Sequence, residues 1–514
     1  MRAASDQRRS SGAVWALFSI ACIACVVACA TTEGRNTFIS TALYGLEVSY
    51  QRGMIPKPSA LGGGLVSIGD DFLVVTGEGD FYLFHWPEEP GELTIRALPY
   101  KAPINRDVFV AEHGVNWESY RFRVSDVLLR PRGEAVEIYV SHHYWKASEK
   151  CYVSRVSVRD DSLGEFLAGT SQRPWTTLYE TSPCLPLWQG ERGHPFGGQQ
   201  EGGRMAWLDA DNFLLTMGDH EYDGWNKTEL FSQDPKVSYG KILAIDRSTG
   251  TSRVFSLGHR NPQGLYIDPE GSIWSTEHGP QGGDELNRIV LGANYGWPHV
   301  TYGTQYGTYV WPLSDQQGRH DGYAGSVYAW VPAIGISNLI GIEKDGFPAW
   351  KGDLLVASLV GESLYRVRIR EGRVVFAEPI AIGKRIRDVI EGPDGRIVLW
   401  TDDASLVSLE PASESNNGEL LYASRCASCH PALDGTTHGI GPNLWKIAGS
   451  TVASAEGYRY SEALTELGGR WTAERLDAYV ADPIRLAPGT TMRTQGIREA
   501  EGRAALIEYL KTLH

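Results

Sequence analysis

One pattern recurs along most of this chain and limits what it can fold into. An apolar alternation runs into a tight turn rich in Asp and Gly, a second apolar run follows, and a Thr closes it. Leu65 to Thr76 is one copy and Met205 to Thr216 another. Leu265 to Thr276 turns at Asp268-Pro269-Glu270-Gly271, and Val389 to Thr401 turns at Gly392-Pro393-Asp394-Gly395. Period-two runs on either side of such a turn are β-hairpins. Weaker copies lie at Glu137 to Val158 and Gly352 to Ile369. Units of roughly 60 residues that cannot bury their faces alone must stack on one another, and six of them predict a six-bladed β-propeller with long inserted loops. A pair of β-sandwiches is the competing arrangement, but recurrence of a single hairpin design favours radial repetition. The 58 Gly, 24 Tyr and 16 Trp suit a turn-rich β architecture.

Near Pro411 the character changes. Residues 412–417 are small and polar and read as a linker, after which the period becomes helical. Thr472 is placed to cap a helix carrying Leu476 and Tyr479, and Leu506, Tyr509, Leu510 and Leu513 form an apolar stripe. Inside this small all-α domain, 418–514, lies Arg425-Cys426-Ala427-Ser428-Cys429-His430. Two thiols at this spacing add to porphyrin vinyl groups, and the histidine that follows is placed to ligate the iron, so the stretch predicts one covalent haem c. His430 and the lack of a second cysteine pair argue against a zinc site or a redox dithiol. Met492, in a loop, is the expected second axial ligand; His438 is an alternative, but too near His430 to reach the opposite face easily.

Residues 1–28 read as an export signal, with Arg2, Arg8 and Arg9 before an apolar run too short for a spanning helix. The run ends Val26-Val27-Ala28-Cys29, which resembles a bacterial lipobox. That predicts a lipid on Cys29, a membrane anchor and a periplasmic or extracellular location, with an ordinary signal peptide or an uncleaved anchor as the plain alternative. Residues 29–51 show no strong period and read as a tether to a propeller over 52–411. With Cys22 and Cys25 in the signal and Cys426 and Cys429 on haem, Cys151 and Cys184 are left over; in an oxidising compartment they most simply pair, the alternative being two buried thiols. A formal charge of −14 argues against nucleic acid as a partner.

One stretch holds more polar chemistry than blade packing needs: Gly258 to Gly264, Glu277 to Asn287, and Asn294 to Pro298. Arg260 offers a planar fork for a carboxylate. The Gly279-Pro280-Gln281-Gly282-Gly283 loop exposes carbonyls, and Asp284 and Glu285 add hard oxygens, a set that suits Ca²⁺. An Asp-Glu pair beside glycines is equally often a solvated turn.

On these motifs, residues 52–411 resemble the glucose/sorbosone dehydrogenase family, six-bladed quinoproteins that hold pyrroloquinoline quinone (PQQ) with Ca²⁺. The resemblance implies that Arg260, Asn261 and Gln263 touch the quinone and that the Gly279 and Pro280 carbonyls face a Ca²⁺ beneath it. It further implies that Asp284, Glu285 and Tyr295 belong to a second, structural calcium site. Arg385 and Arg387 would grip the tricarboxylate cofactor, Arg387 facing its reactive carbonyl. Two positions depart. The family's basic histidine falls within Gly198-Gln199-Gln200-Glu201-Gly202-Gly203-Arg204, where no histidine stands, and a cofactor-binding lysine is replaced by Val360. Neutral Gln199 or Gln200 cannot take a proton; Glu201, or His194 nearby, would need another geometry.

Residues 418–514 resemble class I cytochromes c. The resemblance rests on Gly441-Pro442-Asn443-Leu444, whose proline carbonyl would orient His430, on Tyr458, Tyr460 and Trp471, on Met492, and on the terminal helix Ala504 to Leu513. Together the two halves predict an exported oxidoreductase that oxidises a sugar or other alcohol or aldehyde at a PQQ–Ca²⁺ site and passes electrons to its own haem, and from there to a downstream acceptor. The alternative is an electron-transfer or ligand-binding protein whose propeller has lost its dehydrogenase chemistry.

Overall fold

The computed structural model describes residues 35–87, 93–114, 119–187, 196, 198–311, 313, 318–412, 418–435 and 437–513. The export signal, Cys29, His194 and most of the linker lie outside the described residues.

Six antiparallel sheets follow one another along the chain. Blades I to V span 63–101, 124–186, 202–257, 262–330 and 336–381; blade VI comprises 386–411 and borrows 35–51 from the N-terminus. The first strands of the blades, Gly63–Ile68, Val124–Arg132, Gly202–Trp207, Pro262–Ile267, Ile336–Gly341 and Ile386–Glu391, pack side by side in a closed ring around the axis. The four clear hairpins of the sequence are the inner hairpins of blades I, III, IV and VI. The two weaker copies are the second hairpins of blades II and V. Burial agrees with this order: Leu73, Val75, Phe213, Leu215, Val389 and Leu399 are all buried.

The ring closes where the tether was expected. Gly45–Gln51 pairs antiparallel with Leu406–Pro411, from Leu46 opposite Pro411 to Gln51 opposite Leu406, and Arg35–Ser40 adds outside it. Leu46, Val48 and Tyr50 point inward and are buried against the core of blades V and VI. Joining the chain's start to the last blade removes the free edge that an open ring would expose.

A polar knot at the axis touches every blade. Arg204 Nη1 donates to Asp126 (2.7 Å) and Asp388 (3.0 Å), and its Nε donates to the Gln263 carbonyl (3.3 Å). Asp388 also accepts from the Leu65 amide and from Asn338. On blade II, Cys151 and Cys184 are joined by a disulfide.

The C-terminal domain is helical, with Gly418–Arg425, Glu462–Leu467, Ala473–Ala481, Pro483–Leu486 and Ala500–Thr512. Thr472 caps the third of these by accepting from the Arg475 amide. Leu421 packs with Leu506, Leu510 and Leu513, so the first and last helices share a core. Among the described residues no helix is long and apolar enough to cross a membrane.

Candidate functional site

The helical domain encloses a cavity of about 380 Å³. Cys426, Cys429 and His430 line it, together with Met492, Leu444, Trp471, Tyr479 and Leu506. Cys426 and Cys429 form no disulfide. His430 Nδ1–H donates to the Pro442 carbonyl at 2.8 Å, which leaves the Nε2 lone pair as the ring's ligand atom. A Cβ on Gly441 would stand 2.2 Å from His430 Cε1, so only glycine lets that loop lie flat on the imidazole. Met492 lies in the loop after Thr490, whose hydroxyl pairs with Tyr479 at 2.9 Å. An apolar slot with two thiols, an oriented imidazole and a thioether on its walls fits a covalent haem.

In the propeller, arginines gather near the axis. Arg385 and Arg387 both pair with Asp402, at 3.0 and 2.8 Å. Burial raises the Asp402 carboxyl, but the two arginines overcome that and hold it below the usual range. Sequence reasoning missed Arg123. It is buried, and burial together with the charge of Arg387 lowers it to about 10. Arg260 Nη1 donates to the carbonyls of His278 (3.3 Å) and Gly279 (2.9 Å), while its buried Nε has no partner. Gln263 donates to Asn261 at 2.7 Å. Two buried guanidiniums, Arg123 and Arg387, with Arg385 exposed beside them and an orphaned donor on the half-buried Arg260, fit a polycarboxylate ligand.

The expected proton acceptor is absent in structure as in sequence. Gln200 is buried, and the orientation of its amide that satisfies both neighbours puts the nitrogen 2.5 Å from Asp219 Oδ1 and lets the oxygen accept from Arg260 Nη2 at 3.1 Å. Asp219, also missed, is fully buried. It accepts from Trp297 Nε1 at 2.6 Å and from the Glu221 amide, and burial together with the Asp223 charge pushes it up to about 8. An acidic residue directly after the strand Asn212–Met217 was the available signal. His220 and Glu221 follow in left-handed backbone, φ 50° and 65°, a strain that recurs at binding sites. Gln199 is exposed and donates to Glu221.

Glu201 does not suit the role of substrate base. It is fully buried between blades II and III, accepting from Ser125 and Ser154 and lying 3.2 Å from His143. Burial pushes Glu201 up to about 8 against the pull of Arg123, whose Nε lies 3.7 Å away, and pushes His143 well below its usual value.

Of the residues read as a second calcium site, Asp284 spends its carboxylate on the amides of Gly279, Ile334 and Ile336. The Tyr295 hydroxyl donates to the Arg288 carbonyl and accepts from the Val290 amide. Glu285 is different. It faces a cavity of about 10 Å³ together with Glu277, and burial plus the Glu277 charge raises it to about 8. Glu277 already accepts from the Arg260 amide and lies 2.9 Å from His259 Nδ1, so Glu285, half-buried, is the carboxylate on this space best placed to face a cation.

A ring of six blades with an arginine-lined centre, joined to a helical domain built around a Cys-x-x-Cys-His cavity, defines a two-part redox protein. The chain belongs to the glucose/sorbosone dehydrogenase family, whose model, "Glucose / Sorbosone dehydrogenase", matches residues 124–408. The "Cytochrome c" model matches 415–514, which implies a haem c there. An aldose sugar dehydrogenase of Escherichia coli is 29% identical over 309 residues, covering 55% of this chain and 78% of that protein. Quinoprotein glucose dehydrogenase B of Acinetobacter calcoaceticus is 25% identical over 328 residues, covering 51% and 63%. The solved apo form of the soluble Escherichia coli aldose sugar dehydrogenase superposes with a TM-score of 0.56 at 21% identity, over 71% of this chain and 100% of that one.

Proposed function

We propose that the chain is an exported quinoprotein dehydrogenase that oxidises a sugar or related alcohol and delivers the electrons to its own haem c. The observation that carries this reading is the pair of buried arginines Arg123 and Arg387, close enough for their charges to oppose, with the exposed Arg385 sharing Asp402 with Arg387, an excess of cation that calls for a polyanion such as PQQ. Bound there, the quinone would supply a two-electron acceptor for a substrate hydride and a single-electron donor to the haem. Arg385 and Arg387, braced by Asp402, would hold its carboxylates, and Asn261 and Gln263 its edge. Ca²⁺ would be held at the carbonyls of Gly279 and Pro280, and a second ion by Glu285. The fused cytochrome keeps an acceptor at high local concentration.

The reading extends to the segments at each end. Export, with Cys29 lipidated and residues 1–28 removed, agrees with a Cys151–Cys184 disulfide, a bond that persists in an oxidising compartment. The domains would be a tether ending before residue 35, a propeller over 35–411, a linker over 412–417 and a cytochrome over 418–514. One observation favours a second reading, a propeller that binds ligand without oxidising it. Gln200, where a base is needed, is locked between Asp219 and Arg260. Acid extraction of purified native protein tests the first reading. It expects one PQQ per haem; protein fully loaded with haem that yields no PQQ and takes up none with added Ca²⁺ overturns it.

A further inference from the structure

Most of the tether expected over 29–51 is strand. Arg35–Ser40 and Gly45–Gln51 form the outside of blade VI, so Cys29 stands only six residues ahead of the first strand. Fully extended, residues 29–51 would reach about 75 Å and let the propeller swing freely, whereas six residues reach about 20 Å.

Register fixes the end of the blade at which the chain enters. Ile386 pairs with Thr401, Trp400 with Leu406, Leu406 with Gln51, and Tyr50 with Arg35. Arg35 therefore lies at the end of blade VI that carries Arg385, Arg387 and Asp402, four strand spacings or about 19 Å from the inner strand. The loop that leaves Gln51 stays at this end. The Gly62 carbonyl accepts from Trp400 Nε1 at 3.2 Å, and a Cβ on Gly62 would meet Arg123 Cδ at 2.7 Å. Arg52 and Lys57 of this loop are exposed, and residues 48–69 contain no acidic residue, in a chain of formal charge −14. The opposite end is acidic. There the inner hairpins of blades I, III and IV turn, exposing Asp70, Asp209, Asp211 and Glu270, and residues 69–71, 208–211 and 268–271 hold no basic residue.

We infer that the protein stands on an anionic bilayer by the corner where blades VI and I meet, with the site-bearing end of blade VI beside the lipid headgroups and the acidic turns facing away. A lipid on Cys29 holds that corner within about 20 Å of the surface. Arg52 and Lys57 attract anionic headgroups, and the acidic turns are repelled by them. The anchor rests on the lipoprotein reading of Cys29; the orientation comes from strand register and charge. The candidate site then works at the membrane surface instead of at the end of a long tether.

Nitroxide labels test the orientation on the lipidated holoprotein, in vesicles of phosphatidylcholine and phosphatidylglycerol that carry a nickel-chelating lipid. Pro56→Cys puts a label in the loop after Gln51, with Lys57→Cys as a second position there, and Leu43→Cys puts one in the turn at the other end of the outer strands; all three positions are exposed. Nickel at the headgroups is expected to relax the label at 56 about threefold more than the one at 43, since the ends of the strand between them are about 17 Å apart. An unchanged haem spectrum and melting temperature show that the variants fold. Mass spectrometry of the N-terminal peptide and vesicle flotation check the anchor separately. Equal relaxation at the two ends, or stronger relaxation at 43, in protein that floats with its lipid attached overturns the orientation and leaves the anchor standing. A Cys29 that carries no lipid overturns both.

Discussion

Gln200 and Asp219 stand in direct contact, amide nitrogen to carboxylate oxygen at 2.5 Å, inside the propeller and against Arg260. A carboxylate pushed up to about 8 by burial is thus coupled to a side chain that can neither take nor give a proton at neutral pH.

Gln200→His would put a titratable ring against that carboxylate. Sugar-dependent haem reduction should rise by about 10²-fold or more, the usual worth of a general base. Asp219→Asn in the same protein should remove the gain. The check is the rate of haem reduction in wild type, single and double variants; an inert Gln200→His means the proton leaves by another route.

Met492 should set the haem potential. Met492→His keeps both thioether attachments and exchanges a thioether ligand for an imidazole, so the potential should drop by a clear fraction of the roughly 0.8 V that axial ligands span. Spectroelectrochemical titration measures it, and an unchanged potential would remove Met492 from the iron.

The buried Glu201 predicts how stability depends on pH. Its folded value, about 8, lies above the unfolded one, so the folded state binds the extra proton. Its contribution is complete below the unfolded value near 4.5 and is lost as pH rises through 8, on the order of a few kcal/mol. Melting temperatures of Glu201→Gln and wild type, compared between pH 5 and 9, should diverge upward, the variant holding its stability at alkaline pH.

The Cys151–Cys184 disulfide spans a sequence separation of 33 residues on blade II. Replacing both cysteines by alanine should cost about 3–4 kcal/mol by the loop-entropy estimate. A melting temperature that does not fall would show the unfolded chain to be little constrained by the bond.

Legibility in the sequence followed physical locality. The inner hairpins could be read because each turn lies within a dozen residues of both strands, and the haem motif because its thiols and imidazole are contiguous. Leu46, Val48 and Tyr50 do alternate, but a strand whose partner is Leu406–Pro411, at the far end of the propeller, has no turn beside it to announce it. In the site, contiguous groups were found and convergent ones were not. Arg123, just before blade II, meets Arg387 of blade VI only when the ring closes, and Asp219 of blade III meets Arg260, just before blade IV, only when those blades pack together. For Asp284 and Tyr295, sequence shows that an oxygen exists, not that three amides or a carbonyl already share it.

The central claim is that electrons taken from a sugar in the propeller reach the haem of the same chain. The direct measurement is anaerobic, with oxidised protein supplied with PQQ and Ca²⁺, mixed with an aldose and followed through the haem spectrum at several protein concentrations. The account predicts full haem reduction with a rate constant independent of protein concentration. A haem that stays oxidised while PQQ is demonstrably bound, with every sugar and alcohol offered, would contradict it.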